Sequence, residues 1–194
     1  MQVRPLEIPD VILITPRIFH DDRGLFCETH NQRTLEKHGI SAVFVQDNHS
    51  ISLAKGTIRG LHFQLPPHAQ GKLVRVVRGS ILDVAVDLRK GSPTFGKHVT
   101  AHLSAENWAQ LWIPEGFAHG FCTLEDATEV AYKVTDYYAP DSDRGVHWAD
   151  PTLGIPWPVS VDEARLSAKD QVHPNLGDLP PDLLTDAEPQ AARA

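Results

Sequence analysis

Hydrophobic and polar residues alternate with a period of two along much of this chain. In Ile81–Leu88, one face carries Leu82, Val84, Val86 and Leu88, and the other carries Ile81, Asp83, Ala85 and Asp87. In the preceding segment Lys72, Val74 and Val76 share a face, and Arg78-Gly79-Ser80 reads as the turn between the two strands. Val43–Asp47, Thr57–Gln64, Gly96–Leu103, Ala109–Ile113, His119–Leu124 and Thr128–Thr135 read as further strands. The 15 Pro and 13 Gly punctuate the chain into these short pieces. Many short strands separated by turns predict a sandwich or barrel rather than a parallel sheet.

Helical signal is thin. Asn31 is placed to cap a short helix over Arg33–His38, with Gly39 as its stop, and Val161–Leu166 has room for a further turn or two. From Gly177 onward the chain is Pro, Asp, Glu, Ala and Leu without periodicity, and it reads as a frayed tail. The expected organisation is one domain over residues 1–176 and a flexible segment over residues 177–194.

Composition narrows the function classes. A chain of 194 residues suits one domain and can bury a core without disulfide staples. Lys plus Arg number 18 against 25 Asp plus Glu, a net charge of −7. No global basic field exists to hold nucleic acid or an anionic membrane, although a local cluster of cations would suffice for one small diphosphate. No apolar run approaches the roughly 18 residues of a membrane helix, and the start at Met1-Gln2-Val3-Arg4 has no signal-peptide core. Cys27 and Cys122 lack CxxC spacing and read as reduced thiols of a cytoplasmic protein.

The 11 histidines invite a metal or a proton-transfer reading. Metal-binding cupin barrels present His-x-His, a Glu soon after and a distant His. Here Gln64 stands two residues after His62, and the nearest following acid is Asp83. Those donors do not converge on one ion, so no metal site is expected. In Thr57–Gln64, alternation puts Gly60, His62 and Gln64 on one face and Arg59, Leu61 and Phe63 on the other. If the first face lines a cavity, His62 can act as a base; by itself it reads first as a satisfied structural histidine. His119 follows the turn Pro114-Glu115-Gly116 and is open to either reading. Arg23, Arg59, Lys72 and Arg75 lie beside candidate cavity strands, and Lys72 stands out on an apolar face. Tyr132 shares a face with Val130 and Val134, either as packing or as an inward hydroxyl that needs a partner. Asp170 carries no local signal.

Nine segments taken together point further. They are Phe19–Gly24, Val45–Ser50, Arg59–Gln64, Gln70–Arg75, Asp83–Asp87, Ser92–Gly96, Trp112–Phe121, Tyr132-Lys133 with Tyr137-Tyr138, and Leu166–Asp170. In order and spacing, from Pro16 to Asp170, they closely resemble the dTDP-4-dehydrorhamnose 3,5-epimerase family. The resemblance implies a mainly β, cupin-like jelly roll (a double-stranded β-helix) with short peripheral helices. It implies no cofactor, no metal, a homodimer built by strand exchange and a step in making dTDP-L-rhamnose for cell-surface polysaccharide. The substrate implied is dTDP-4-keto-6-deoxy-D-glucose, inverted at C3 and C5. By the same resemblance His62 is the base and Asp170 its partner, Tyr132 the proton donor, and Lys72 the group facing the enolate oxygen. His119 with Asp83 matches a second His/Asp pair. Arg23, Glu28, Gln46, Asn48, Arg59 and Lys169 match substrate-binding positions, and Tyr138 the aromatic that stacks on thymine. Asp143 stands where the family usually carries Glu, one methylene shorter. The competing readings are a deoxysugar epimerase acting at C3 alone, a metal-dependent cupin, and a non-catalytic sugar-nucleotide binding module.

Overall fold

The computed structural model describes residues 1–184. The alternating segments pair antiparallel into two sheets around a shared core. The strands are β1 (Gln2–Pro5), β2 (Ile12–Thr15), β3 (Ile18–Asp21), β4 (Gly24–Cys27), β5 (Gln46–Ser52), β6 (Ile58–Gln64) and β7 (Lys72–Arg78). They continue with β8 (Ser80–Asp87), β9 (His98–Ser104), β10 (Gln110–Ile113), β11 (Phe117–Thr123), β12 (Thr128–Val134) and β13 (Asp143–Gly145). A six-stranded sheet runs β1-β2-β10-β7-β12-β5 and a five-stranded sheet β13-β6-β11-β8-β9, while β3 and β4 form a separate hairpin. Sequence neighbours β7 and β8 lie in different sheets, as the jelly-roll reading requires.

The core follows from the alternation. Val74 and Val76 of β7, Leu111 and Ile113 of β10, and Val130 of β12 meet Ile81 and Ala85 of β8 and Phe117 and Phe121 of β11. The other face of β8 is apolar as well, because Val84 and Val86 are covered by Leu153 and Leu179 from the C-terminal segment. That strand is buried on both sides, which explains its near-continuous hydrophobicity. A short helix α1 (Gln32–Lys37) is capped by Asn31, whose side chain accepts from the Thr34 amide at 3.1 Å. It buries Leu35 with Ile12, Ile14, Ile40 and Leu73 on the outer face of the six-stranded sheet.

Several expectations change. Residues 43–45 are not strand; pairing begins at Gln46. Val161–Leu166 forms turns and a bridge from Arg165 to Thr57, not a helix. The frayed tail expected from Gly177 does not describe residues 177–184. Two 3₁₀ turns, Leu176–Asp178 and Pro181–Leu183, seat Leu179 in the core at 7% exposure. Asp150 anchors this segment by accepting from the Leu176 amide at 2.7 Å. The rest of the expected tail, residues 185–194, lies outside the described residues. Among the described residues no helix is long and apolar enough to cross a membrane.

The change that matters for function is in β6. His62 lies opposite His119, and Arg59 lies opposite Phe121, so β6 has one residue more than β11 between the two pairs. This bulge reverses the alternation upstream of His62. Because His119 and Phe121 share a face of β11, Arg59 and His62 share a face of β6, contrary to the simple period-two reading. Gly60 makes this possible. Its φ is +134°, and a Cβ there would sit 2.5 Å from the Gly120 Cα.

Candidate active site

Polar side chains break the apolar core at one end of the sandwich. On the six-stranded sheet, cross-strand pairing aligns Lys72 of β7, Val134 of β12 and Gln46 of β5 in one row. Val74, Tyr132 and Asn48 form the next. On the five-stranded sheet the rows are Gly145, His62, His119 and Ala85, then Arg59, Phe121 and Asp83. The inner faces of both sheets therefore bring titratable groups together.

Two histidine–carboxylate pairs anchor the site. His62 Nε2 donates to Asp170 Oδ1 at 2.5 Å, across 108 residues of sequence. Asp170 is 3% exposed, while the His62 side chain is 31% exposed. The Ser167 hydroxyl donates to Asp170 Oδ2 at 2.9 Å. Burial would raise the Asp170 pKa, but the hydrogen bonds and charge of His62 and the Ser167 bond outweigh it and hold the carboxyl below its ordinary range. With Nε2 occupied as a donor, Nδ1 is the His62 nitrogen with a lone pair to offer. The second pair is His119 Nε2 with Asp83 Oδ1 at 2.6 Å, both groups buried. Burial pushes the His119 pKa down against the opposing pull of Asp83.

Lys72 is buried beside both pairs. Its Nζ donates to the His62 carbonyl at 3.2 Å. Burial brings its pKa down to about 8, and Asp143 and Asp83 oppose that shift. Tyr132 faces inward from β12, and burial raises the pKa of its phenol against Arg59. Arg59 is held by Ser52 Oγ at 3.1 Å and the Ile51 carbonyl at 3.2 Å.

The rim is a linked set. Asp143 accepts from the Lys169 ammonium and, at 3.1 Å, from the Tyr138 hydroxyl. The Tyr138 amide donates to Gln46 Oε1 at 3.0 Å, and Gln46 Nε2 donates to Asn48 Oδ1 at 2.8 Å. Asp143, one methylene shorter than Glu, thus bonds both Lys169 and Tyr138. Gln64 was not singled out for this purpose. Its amide donates to the His68 and Tyr137 carbonyls and accepts from the Ala139 amide, fixing the loop that carries Tyr138. The position where metal cupins carry a second histidine is spent on loop structure here.

Arg23 and Glu28 do not join this cluster. Arg23 sits at the turn of the β3–β4 hairpin, 89% exposed and paired with Asp21 at 2.5 Å. Glu28 is exposed just beyond β4. Arg75 also points away, sharing with Leu73, Ala131, Lys133, Asp47 and His49 the opposite face of the six-stranded sheet, against a cavity of about 280 Å³. Sequence reasoning missed His173, whose ring meets His62 edge-on at 5.5 Å between centroids. It follows the last recognisable segment, and no periodicity or spacing marked it.

Known proteins resemble this chain in sequence and in fold. Residues 5–178 match a family model described as dTDP-4-dehydrorhamnose 3,5-epimerase. The chain is 55% identical over 171 residues to the dTDP-4-dehydrorhamnose 3,5-epimerase of Shigella flexneri, covering 88% of this chain and 93% of that one. It is similar in structure to the dTDP-6-deoxy-D-glucose-3,5-epimerase of Legionella pneumophila, solved with dTDP-4-keto-L-rhamnose. The TM-score there is 0.92 at 44% identity, over 97% of this chain and 99% of that one. It also resembles the Bacillus anthracis dTDP-4-dehydrorhamnose 3,5-epimerase, solved with TDP and PPi. That TM-score is 0.87 at 52% identity, over 90% of this chain and 98% of that one.

Proposed function

The chain belongs to the dTDP-4-dehydrorhamnose 3,5-epimerase family, and from that premise we propose that it inverts C3 and C5 of dTDP-4-keto-6-deoxy-D-glucose to give dTDP-4-keto-L-rhamnose, a step toward dTDP-L-rhamnose. The observation that carries the reading is the His62–Asp170 pair, flanked by buried Lys72 and faced by Tyr132 from the other sheet.

The chemistry follows from the ketone. A C4 carbonyl acidifies the C–H bonds at C3 and C5, because removing either proton leaves an enolate. His62 Nδ1 takes the proton, and the Nε2–H bond to Asp170 stabilises the imidazolium that results. Negative charge grows on O4, where the Lys72 ammonium stabilises it more in the transition state than in the ground state. Inversion needs a proton from the opposite face; Tyr132 supplies it at C5, and water supplies it at C3. His119, fixed by Asp83, presents its imidazole to the sugar. At the rim, Tyr138 stacks on thymine, while Arg59, Lys169, Gln46 and Asn48 hold the nucleotide. Every step moves a proton, and none needs an electron acceptor or a covalent intermediate.

Arg23 and Glu28 enter from a second copy. The β3–β4 hairpin exposes Phe19 at 48%, Leu25 at 46% and Phe26 at 69%. An apolar projection of that kind suits burial against another protomer, and a strand-exchanged homodimer would carry both residues to the partner's site. Sedimentation should give a dimer, and a monomer with full turnover would remove Arg23 and Glu28 from the mechanism. The free thiols of Cys27 and Cys122 support a cytoplasmic setting, and one catalytic domain accounts for the described chain.

Substrate incubated in D2O tests the reaction. Deuterium should enter at both C3 and C5. No incorporation at either carbon overturns the proposal, and incorporation at C3 alone reassigns the enzyme to single epimerisation.

A further inference from the structure

Three residues after Asp170, His173 brings a third donor to the His62–Asp170 pair. Its side chain is 10% exposed. The ring packs on Gly145 of β13, the residue opposite His62, and a Cβ at Gly145 would fall 2.4 Å from His173 Nε2. The bare backbone there leaves room for the ring. His173 Nε2 is buried and has no hydrogen-bond partner among the described residues. It lies 3.8 Å from Asp170 Oδ1, beyond hydrogen-bond reach. Leaving a buried polar nitrogen unmet is costly, so its placement asks for a ligand.

The donor set indicates which. The ligand atoms of His62, Asp170 and His173 all lie within 4.8 Å of one another. Two imidazoles and one carboxylate suit a zinc-class cation, with a further coordination position left to water. We propose that His62, Asp170 and His173 form a binding site for a divalent transition-metal ion of the zinc class, and that its occupancy switches the base off. The inference rests on His62 being the base. The ion takes the lone pair at His62 Nε2, and the proton now on Nε2 moves to Nδ1. The nitrogen that would accept the substrate proton is then already protonated. Asp170 changes from hydrogen-bond acceptor to ligand, and no oxidation state changes. The nucleotide contacts at Tyr138, Asp143 and Lys169 are untouched, so the ion suppresses turnover and not nucleotide binding. This inhibitory site differs from the His-x-His centre of metal cupins, because His173 comes from the C-terminal segment and not from a barrel strand.

The test uses the full chain, stripped of metal and titrated with ZnCl2 by calorimetry, with Co2+ absorption as a second readout. One ion per chain should bind, and Co2+ should show the intense visible bands of a low-coordinate site. Deuterium exchange into substrate should fall in step with occupancy and return on chelation, with dTDP affinity unchanged. His173→Ala and His173→Gln should keep exchange in metal-free buffer while weakening Zn2+ binding at least tenfold. No stoichiometric binding, or equal inhibition of wild type and both variants, overturns the site. Binding that depends on His173 but leaves exchange intact keeps the site and overturns His62 as the base.

Discussion

In the proposed reaction His62 is made into a base by what surrounds it, and each neighbour has a separable effect. Asp170 holds the Nε2 proton and so presents the Nδ1 lone pair. Asp170→Asn keeps the shape but removes the negative charge that stabilises the imidazolium. Deuterium exchange should fall about 10²–10⁴-fold, with dTDP affinity unchanged. A fall in affinity alone would mean that Asp170 serves binding and not chemistry. Tyr132→Phe should cut formation of the C5-inverted product by a similar factor, about 10²–10⁴. NMR of the products should show C3 exchange continuing; equal loss at both carbons would take Tyr132 out of the donor role. These residues differed in how far the chain betrayed them. Lys72 and Tyr132 were visible as polar members of apolar strand faces. Asp170 was not, because its partner lies 108 residues away and its own turn has no periodic signal. Only resemblance named it, and His173 had not even that.

At the scale of elements, most strands were legible because one face is buried and the other is not. The failures have physical causes. β1, β3, β4 and β13 are three or four residues long, too short for alternation to stand out. The bulge at Gly60 was invisible because an extra residue in β6 is defined only against β11. That bulge is what places Arg59 and His62 on one face. Gly60→Ala would put a methyl 2.5 Å from the Gly120 Cα at a left-handed φ, where neither backbone can give way cheaply. The strain alone is worth about 1–3 kcal/mol. The urea midpoint should drop accordingly, and exchange should fall beyond what the stability loss explains, since relaxing the bulge turns one of the two side chains away. Wild-type exchange in the folded variant would show that the shared face is unnecessary.

Across the whole molecule, the segment Ser92–Gly96 belonged to the resemblance without a role in chemistry, and its work is structural. Asp87, fully buried at the end of β8, accepts from Arg89 Nε at 2.9 Å, Arg89 Nη2 at 2.8 Å, and the Ser92 and Thr94 hydroxyls, each at 2.6 Å. Arg89 reaches on to Asp10 at 3.0 Å and lies over the Phe117 ring at 4.5 Å. One carboxylate thus ties the N-terminal loop, β8 and the start of β11, a link that no local pattern could announce. Burial alone would raise the Asp87 pKa, but the bonds from Arg89, Ser92 and Thr94 outweigh it and hold the carboxyl below its ordinary range in the folded state. A depressed folded pKa stabilises the fold above the unfolded value of about 3.9, and that stability is lost as pH falls through the folded value. Asp150 and Asp170 shift in the same direction and add to the same acid limb. The melting temperature of the wild type should therefore decline steeply below about pH 4. Asp87→Asn should cost about 3 kcal/mol at pH 7, because Arg89 loses its buried counter-charge. The variant's stability should then vary less with pH across the acid limb, and an unchanged slope there would place the acid-sensitive stability in other carboxylates.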